Sequence, residues 1–226
     1  TRPRAMKRLT KPRFLFVYPL AVALFIFGRT TEFQFRLGVC LAIMGELIRL
    51  WANGYVGHVK VNRTEQQRGG AKIGRLVTAG PYAFVRHPLY LGTFLIGAGF
   101  CIAMGNWWLS LLAMVCFLFI YGEKMKTEEQ LLRHECGERY SAYFTKVSQW
   151  IPNFRRYADP QGRWTWQGIL ASKELKTVVW VIVFTVLLYF REEYLQEREL
   201  FGEKEWGKHL LLTLLSLLLI VGDGTF

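Results

Sequence analysis

LYLGTFLIGAGFCIAMGNWWLSLLAMVCFLFIY, residues 89–121, decides how this chain folds. It contains two apolar runs, 89–104 and 107–121, without a charged residue in either. Only Gly105 and Asn106 separate them, so the pair reads as a helical hairpin. Four more apolar runs flank it, at 14–28, 37–56, 177–190 and 210–221. A spanning helix takes about 20 apolar residues, and most of these runs are shorter, the last two shortest. Several short runs in 226 residues that are 52% hydrophobic argue against a single soluble core. The expected fold is all-α, a polytopic membrane protein with about five to six transmembrane helices.

The net charge of +12 raises the question of nucleic acid, and its placement answers it. Lys and Arg number 6 in residues 1–13, 6 in 53–88 and 8 in 122–168, against 2 in 28–36 and 4 in 191–208. If all six runs span, the rich and poor segments fall on opposite faces, and the rich face is cytosolic. The excess is then a matter of topology and of attraction to anionic lipid headgroups, with no nucleic-acid motif beside it. An integral, multi-pass protein of a bacterial inner membrane or the endoplasmic reticulum is expected. Residues 1–13 are basic, and no small-residue cleavage site follows the run 14–28, so that run reads as an uncleaved span. Cys40, Cys101, Cys116 and Cys136 show neither CxxC nor Cys/His spacing, so no disulfide framework or metal site is indicated.

Three segments follow from this pattern. Residues 1–56 form an N-terminal hairpin, 57–154 a core, and 155–226 an extension with two apolar runs. Within the core, residues 57–80 form a basic loop in which Gly69, Gly70, Gly74 and Gly80 permit backbone turns that other residues resist. Residues 123–144 are charged and rich in helix formers, either continuing the preceding helix or lying on the membrane surface.

The candidates for chemistry cluster on one expected face. In GPYAFVRHPLYLG, residues 80–92, Pro88 suits the first turn of a helix and sets Arg86 and His87 at its mouth. There they either bind an anion together with the helix N-terminus or anchor to lipid phosphate. Lys124 lies one turn before Glu128, with Glu129 adjacent; such charges are most often a solvated helix face. Glu46 and Arg49 share a face of the run 37–56, as an ion pair near the boundary or as a direct part of a site. Gly97-Ala98-Gly99 reads by default as helix packing through small residues.

In order and spacing, these elements resemble a family. GPYAFVRHPLYLG, a hairpin, then TEEQLLRHECGERYSAYF and WIP is similar to the isoprenylcysteine carboxyl methyltransferases, related to the membrane phospholipid N-methyltransferases. The likeness starts at Gly45-Glu46-Leu47-Ile48-Arg49 and runs through His58-Val59 and Leu76–Gly80 to Phe154. It implies a helical membrane enzyme binding S-adenosylmethionine between the RHPxY loop and the EExxL helix, reached from the cytosol. Cofactor contacts implied by motif are Arg75, Leu76, Val77, Tyr82, His87, Pro88, Leu89, Tyr90 and Glu128. Gly97 and Gly99, with the paired glutamates, resemble elements of the N-methyltransferases. Lys124 stands where the family has an arginine near a substrate carboxylate, keeping the charge and losing the bidentate fork.

The residue types suit that chemistry. A helix N-terminus with Arg86 and His87 fits a carboxylate, Glu128 fits an ammonium or ribose diol, and Tyr82 and Tyr90 fit a sulfonium or adenosine. An acceptor carboxylate needs a cation such as Lys124 and no base, whereas an amine needs a base such as Glu129. The expected partner is thus a lipophilic, lipid or prenylated substrate, most simply a prenylcysteine carboxylate, with a phosphatidylethanolamine-type amine as alternative. Two other classes stay open: an NADPH-dependent sterol-type reductase and a non-enzymatic membrane scaffold.

Overall fold

A computed structural model describes residues 23–25, 28–56, 76–152, 155–172 and 174–196. The expected run 210–221 and most of 14–28 lie outside these residues, as does the loop 57–75. Every regular element among the described residues is helical. They are α1 (Glu32–Val56), a 3-10 turn (Gly80–Ala83), α2 (Pro88–Met104), α3 (Trp107–Lys146), α4 (Trp166–Ala171) and α5 (Glu174–Gln196). The chain divides into two compact units, Thr1–Val178 and Val179–Phe226.

The expected hairpin is α2 and α3, and its two-residue link has a clear physical basis. Gly105 closes α2 at φ +69°, donating its amide to the Ile102 carbonyl at 3.0 Å. A side chain there would also run into the Arg29 carbonyl, so glycine is required twice over. Asn106 then opens α3, its side chain accepting the Leu109 amide at 3.1 Å.

α1 and α2 pack through small residues. A Cβ on Gly45 would lie 2.6 Å from the Gly92 carbonyl, and one on Gly99 would lie 2.7 Å from the Ala42 amide. With Gly38 and Ala42, these positions let two helix backbones approach closely, as lipid-embedded helices do. Outside the seam the surface is apolar: Phe33, Ile43, Leu47 and Trp51 are exposed on α1, and Trp107, Trp108, Leu111, Val115 and Phe119 on α3. α3 is the one described helix long and apolar enough to cross a membrane, with mean hydropathy 1.5 and only 6% of that window buried. A soluble core helix would be mostly buried.

The charged stretch after residue 121 does continue α3, but only to Gly137. There φ is +52° and ψ −127°, and the axis breaks. The short helix beyond carries Tyr140, Tyr143 and Val147 into a cluster with Leu76, Leu132, Phe144 and Tyr157. The segment 155–172 then straps the first unit together. Tyr157 donates its amide to the Ala83 carbonyl at 3.0 Å, Thr165 to Gly54 at 2.9 Å, and Thr78 donates to Gln161 at 2.9 Å. In the second unit, Thr185 donates to the Val181 carbonyl at 2.7 Å within α5, and Arg191 pairs with Glu192.

Candidate functional site

The site grows from one short loop. At Gly80 φ is +63°, and a Cβ would enter the Tyr55 ring, so glycine alone lets the chain turn beneath α1. The 3-10 turn follows, with the Phe84 and Val85 amides both donating to Pro81 at 3.1 Å. His87 takes the N-cap position of α2 and Pro88 its first turn, as the sequence leads one to expect.

Arg86 is a clamp. Its Nε donates to Glu129 Oε1 at 3.0 Å, and its Nη1 to the carbonyls of Phe144 at 2.7 Å and Val147 at 3.0 Å. The guanidinium also lies 3.9 Å from the Phe144 ring centroid. It therefore holds the loop against the C-terminal end of α3, where unpaired carbonyls favour a cation.

His87 Nε2 reaches the same Glu129 oxygen at 3.0 Å. Burial alone would raise the Glu129 carboxyl, but the His87 hydrogen bond and the Arg86 charge hold it below the usual range. Its neighbour behaves oppositely. Glu128 accepts the Tyr90 hydroxyl, and burial pushes its carboxyl up against the opposing effects of that bond, His87 and Lys124. Their surroundings thus drive these adjacent carboxyls in opposite directions.

These groups surround a cavity of about 620 Å³, within the roughly 300–1,000 Å³ of small-molecule sites. Leu76, Val77, Tyr82, His87, Pro88, Leu89, Tyr90, Lys124 and Glu128 all line it, so the structure brings together most residues singled out from the sequence. Lys124 Nζ lies 5.1 Å from the Tyr121 ring centroid and 6.0 Å from that of Tyr90. Burial pushes the Tyr82 phenol up, and its carbonyl accepts the Tyr143 hydroxyl at 2.7 Å.

Other expected site residues stand elsewhere. Glu129, expected near the reacting centre, does not line the cavity; it sits behind the wall, engaged by Arg86 and His87. Arg86 lines the cavity but turns three donor contacts to the protein rather than to a ligand. Gly97 and Gly99 are not lining residues. Gly99 is taken up by the α1–α2 seam, as the packing reading expects, whereas a Cβ on Gly97 would meet only Met114 at 3.8 Å, so close packing does not explain that glycine. Arg75 lies outside the described residues.

The cavity also holds Tyr140 and Tyr143, which were not among the expected site residues, and Arg49, for which an ion pair and a direct part in a site were both open. Tyr140 and Tyr143 arrive by the turn at Gly137; the spacing of the two tyrosines after that glycine in GERYSAYF, residues 137–144, was the available signal. Arg49 lines the wall with Thr93 and Thr177. Its Nε donates to Glu174 Oε1 at 2.6 Å and its Nη1 hydrogen-bonds Thr93, whereas Glu46 is 3.8 Å away. The i,i+3 pair visible in the sequence is thus the weaker partner. Nothing local announces Glu174, which is 125 residues distant.

With this geometry in place, comparison with known proteins becomes informative. Residues 33–139 match the phospholipid methyltransferase family. The matched segment runs from α1 to just past Gly137 and carries the loop, the hairpin and both glutamates. Protein-S-isoprenylcysteine O-methyltransferase of Schizosaccharomyces pombe is 38% identical over 77 residues, 34% of this chain and 33% of that protein. The protein of the same name from Saccharomyces cerevisiae is 28% identical over 141 residues, 61% of this chain and 56% of its own length. The cobalt-zinc-cadmium resistance protein CzcN of Cupriavidus metallidurans is 27% identical over 154 residues, 67% and 62% of the two chains. The chain spans between a third and two thirds of the length of these relatives. No solved structure matches it. The resemblance read from the sequence is borne out: residues 33–139 are similar to the phospholipid methyltransferase family, and the relatives matched include proteins named as isoprenylcysteine O-methyltransferases.

Proposed function

We propose that this chain is a membrane-embedded methyltransferase that uses S-adenosylmethionine and methylates the carboxylate of a lipophilic, prenylcysteine-like acceptor. The observation carrying this reading is the cavity in which the N-terminus of α2, His87, the Tyr90–Glu128 pair and Lys124 converge. The donor set fits the cofactor. The free amides of α2 and His87 suit a carboxylate, Glu128 with Tyr90 suits an ammonium or ribose diol, and the Tyr82 and Tyr121 rings suit a sulfonium. The cofactor supplies an activated methyl group; the chain supplies orientation and a site shielded from water.

Two features favour a carboxylate acceptor. Lys124 offers a cation at the cavity wall beside Tyr121 and Tyr90. Glu129, the residue an amine acceptor would want as base, is engaged by Arg86 and His87 and held in its ionised form. A carboxylate is already a nucleophile near neutral pH and needs no such base. The second reading, an amine of a phosphatidylethanolamine-type lipid, rests on the family name and on Glu128, whose raised carboxyl is suited to proton exchange.

Placement in the membrane belongs to the same proposal: several spans, with residues 1–56 as a hairpin, 57–154 as the core and 155–226 as an extension. The cavity mouth faces the cytosol, where the basic segments lie, so that an acceptor tail stays in lipid while its head enters. The test is methyl transfer from labelled S-adenosylmethionine by protein in nanodiscs. S-farnesylcysteine analogues should be labelled and phosphatidylethanolamine should not. Labelling of the amine alone reverses the choice of acceptor, and labelling of neither removes both.

A further inference from the structure

Tyr140 is the most enclosed polar side chain of the cavity wall. Its residue is 1% exposed, packed against Tyr143 and Phe144 with ring centroids 6.1 Å away in each case. It lines the cavity, yet its hydroxyl has no hydrogen-bond partner among the described residues. A buried hydroxyl without a partner is costly, and native structures rarely keep one without a reason. Tyr143, three residues on and in the same wall, is the internal contrast. Its hydroxyl is already engaged, donating to the Tyr82 carbonyl at 2.7 Å. One hydroxyl of this pair holds the loop; the other, buried in a residue that lines the cavity, has no partner among the described residues.

The chain goes to some length to place it. The break at Gly137, with φ +52°, is what brings Tyr140 back over the loop rather than along a straight helix. Leu76 and Leu132 pack against the cluster of Tyr140, Tyr143 and Val147 and line the same cavity, while Glu129, Arg86 and Arg133 act electrostatically on the Tyr140 phenol. A hydroxyl at such a wall orients a partly polar ligand by one directed hydrogen bond.

From this we infer that the Tyr140 hydroxyl is a ligand contact, donating a hydrogen bond to the bound nucleoside methyl donor. The inference rests on the functional reading above and adds to it a contact that motif comparison did not assign. The Gly137 turn then has a purpose in binding as well as in packing.

The test is a pair of variants, Tyr140→Phe and Tyr143→Phe, melted without ligand and titrated calorimetrically with S-adenosylhomocysteine. Tyr140→Phe should melt at or above the wild-type temperature, since it removes an unpaired buried hydroxyl, and should bind about two- to twelve-fold more weakly, the worth of one hydrogen bond. Tyr143→Phe should melt lower, because its bond to Tyr82 is internal. A fall in the Tyr140→Phe melting temperature overturns the inference, since the hydroxyl would then be serving the protein itself. Unchanged affinity in Tyr140→Phe, with the wild type binding, also overturns it and leaves the functional reading intact. No binding by the wild type removes both.

Discussion

Two glycines of α3, Gly122 and Gly137, test the central bend by opposite responses to one change. A Cβ built on either meets no atom of the described residues within 4 Å, so crowding by them plays no part at either position. They differ only in backbone. Gly122 sits inside the regular helix, where alanine is preferred to glycine by about 0.5–1 kcal/mol. Gly137 takes φ +52° and ψ −127°, a region that L side chains resist at a cost of about 1–3 kcal/mol. Gly122→Ala should therefore stabilise and Gly137→Ala destabilise, by about 2–4 °C of melting temperature per kcal/mol for a chain of this size. The second change should also cost ligand affinity. The alternative to bearing the strain is to straighten the helix, which withdraws Tyr140, Tyr143 and the Phe144 carbonyl from the loop. Thermal melting in detergent beside calorimetric titration measures both effects. If Gly137→Ala melts and binds like wild type while Gly122→Ala behaves as expected, the bend is not what builds the site.

Further outcomes follow from the charged groups. Arg86→Ala should lower stability by about 3 kcal/mol or more, since it removes a partner from a largely buried ion pair and frees two carbonyls; unchanged melting with only weaker binding would make Arg86 a ligand contact instead. Glu174→Ala leaves Arg49 with Glu46, 3.8 Å away, as its remaining carboxylate partner among the described residues and should cost about 3 kcal/mol, largely recovered in an Arg49→Met, Glu174→Leu double variant; additive losses would contradict the pairing. The two adjacent glutamates should show opposite pH behaviour. The depressed Glu129 carboxyl contributes stability that is present above the ordinary value of 4.5 and lost as pH falls through its lower folded value, so Glu129→Gln should flatten acid melting. The raised Glu128 carboxyl costs stability as pH rises from 4.5 through its higher folded value, so Glu128→Gln should leave the ligand-free protein at least as stable at pH 7. Melting curves between pH 3 and 8 measure both, and a shared sign would refute the assignment.

What the sequence made legible divides by distance along the chain. The hairpin was readable because two uncharged runs meet at Gly105-Asn106, and the loop at α2 because Pro88 marks a helix start. The cavity-lining set from Leu76 to Glu128 came from motif order, and the structure gathers it. The sense of Arg86 and Glu129 was not readable, because reach toward a ligand or toward Phe144 and Val147 depends on the bend at Gly137. A lone glycine between Cys136 and Glu138 in a helix-forming stretch gives no sign of its φ. Gly99 shows the reverse, since only the register of α1 against α2 puts it beside Ala42. Glu174 was beyond reach, because an ion pair across 125 residues has no local pattern.

The most direct measurement is calorimetric titration of the purified chain with S-adenosylmethionine, using wild type, Glu128→Gln and, as a rival ligand, NADPH. Saturable binding of S-adenosylmethionine by the wild type, its loss in a Glu128→Gln variant that melts no lower, and no binding of NADPH are the predicted results. A folded wild type that gives no heat with S-adenosylmethionine, or Glu128→Gln binding as tightly as wild type, would contradict the account.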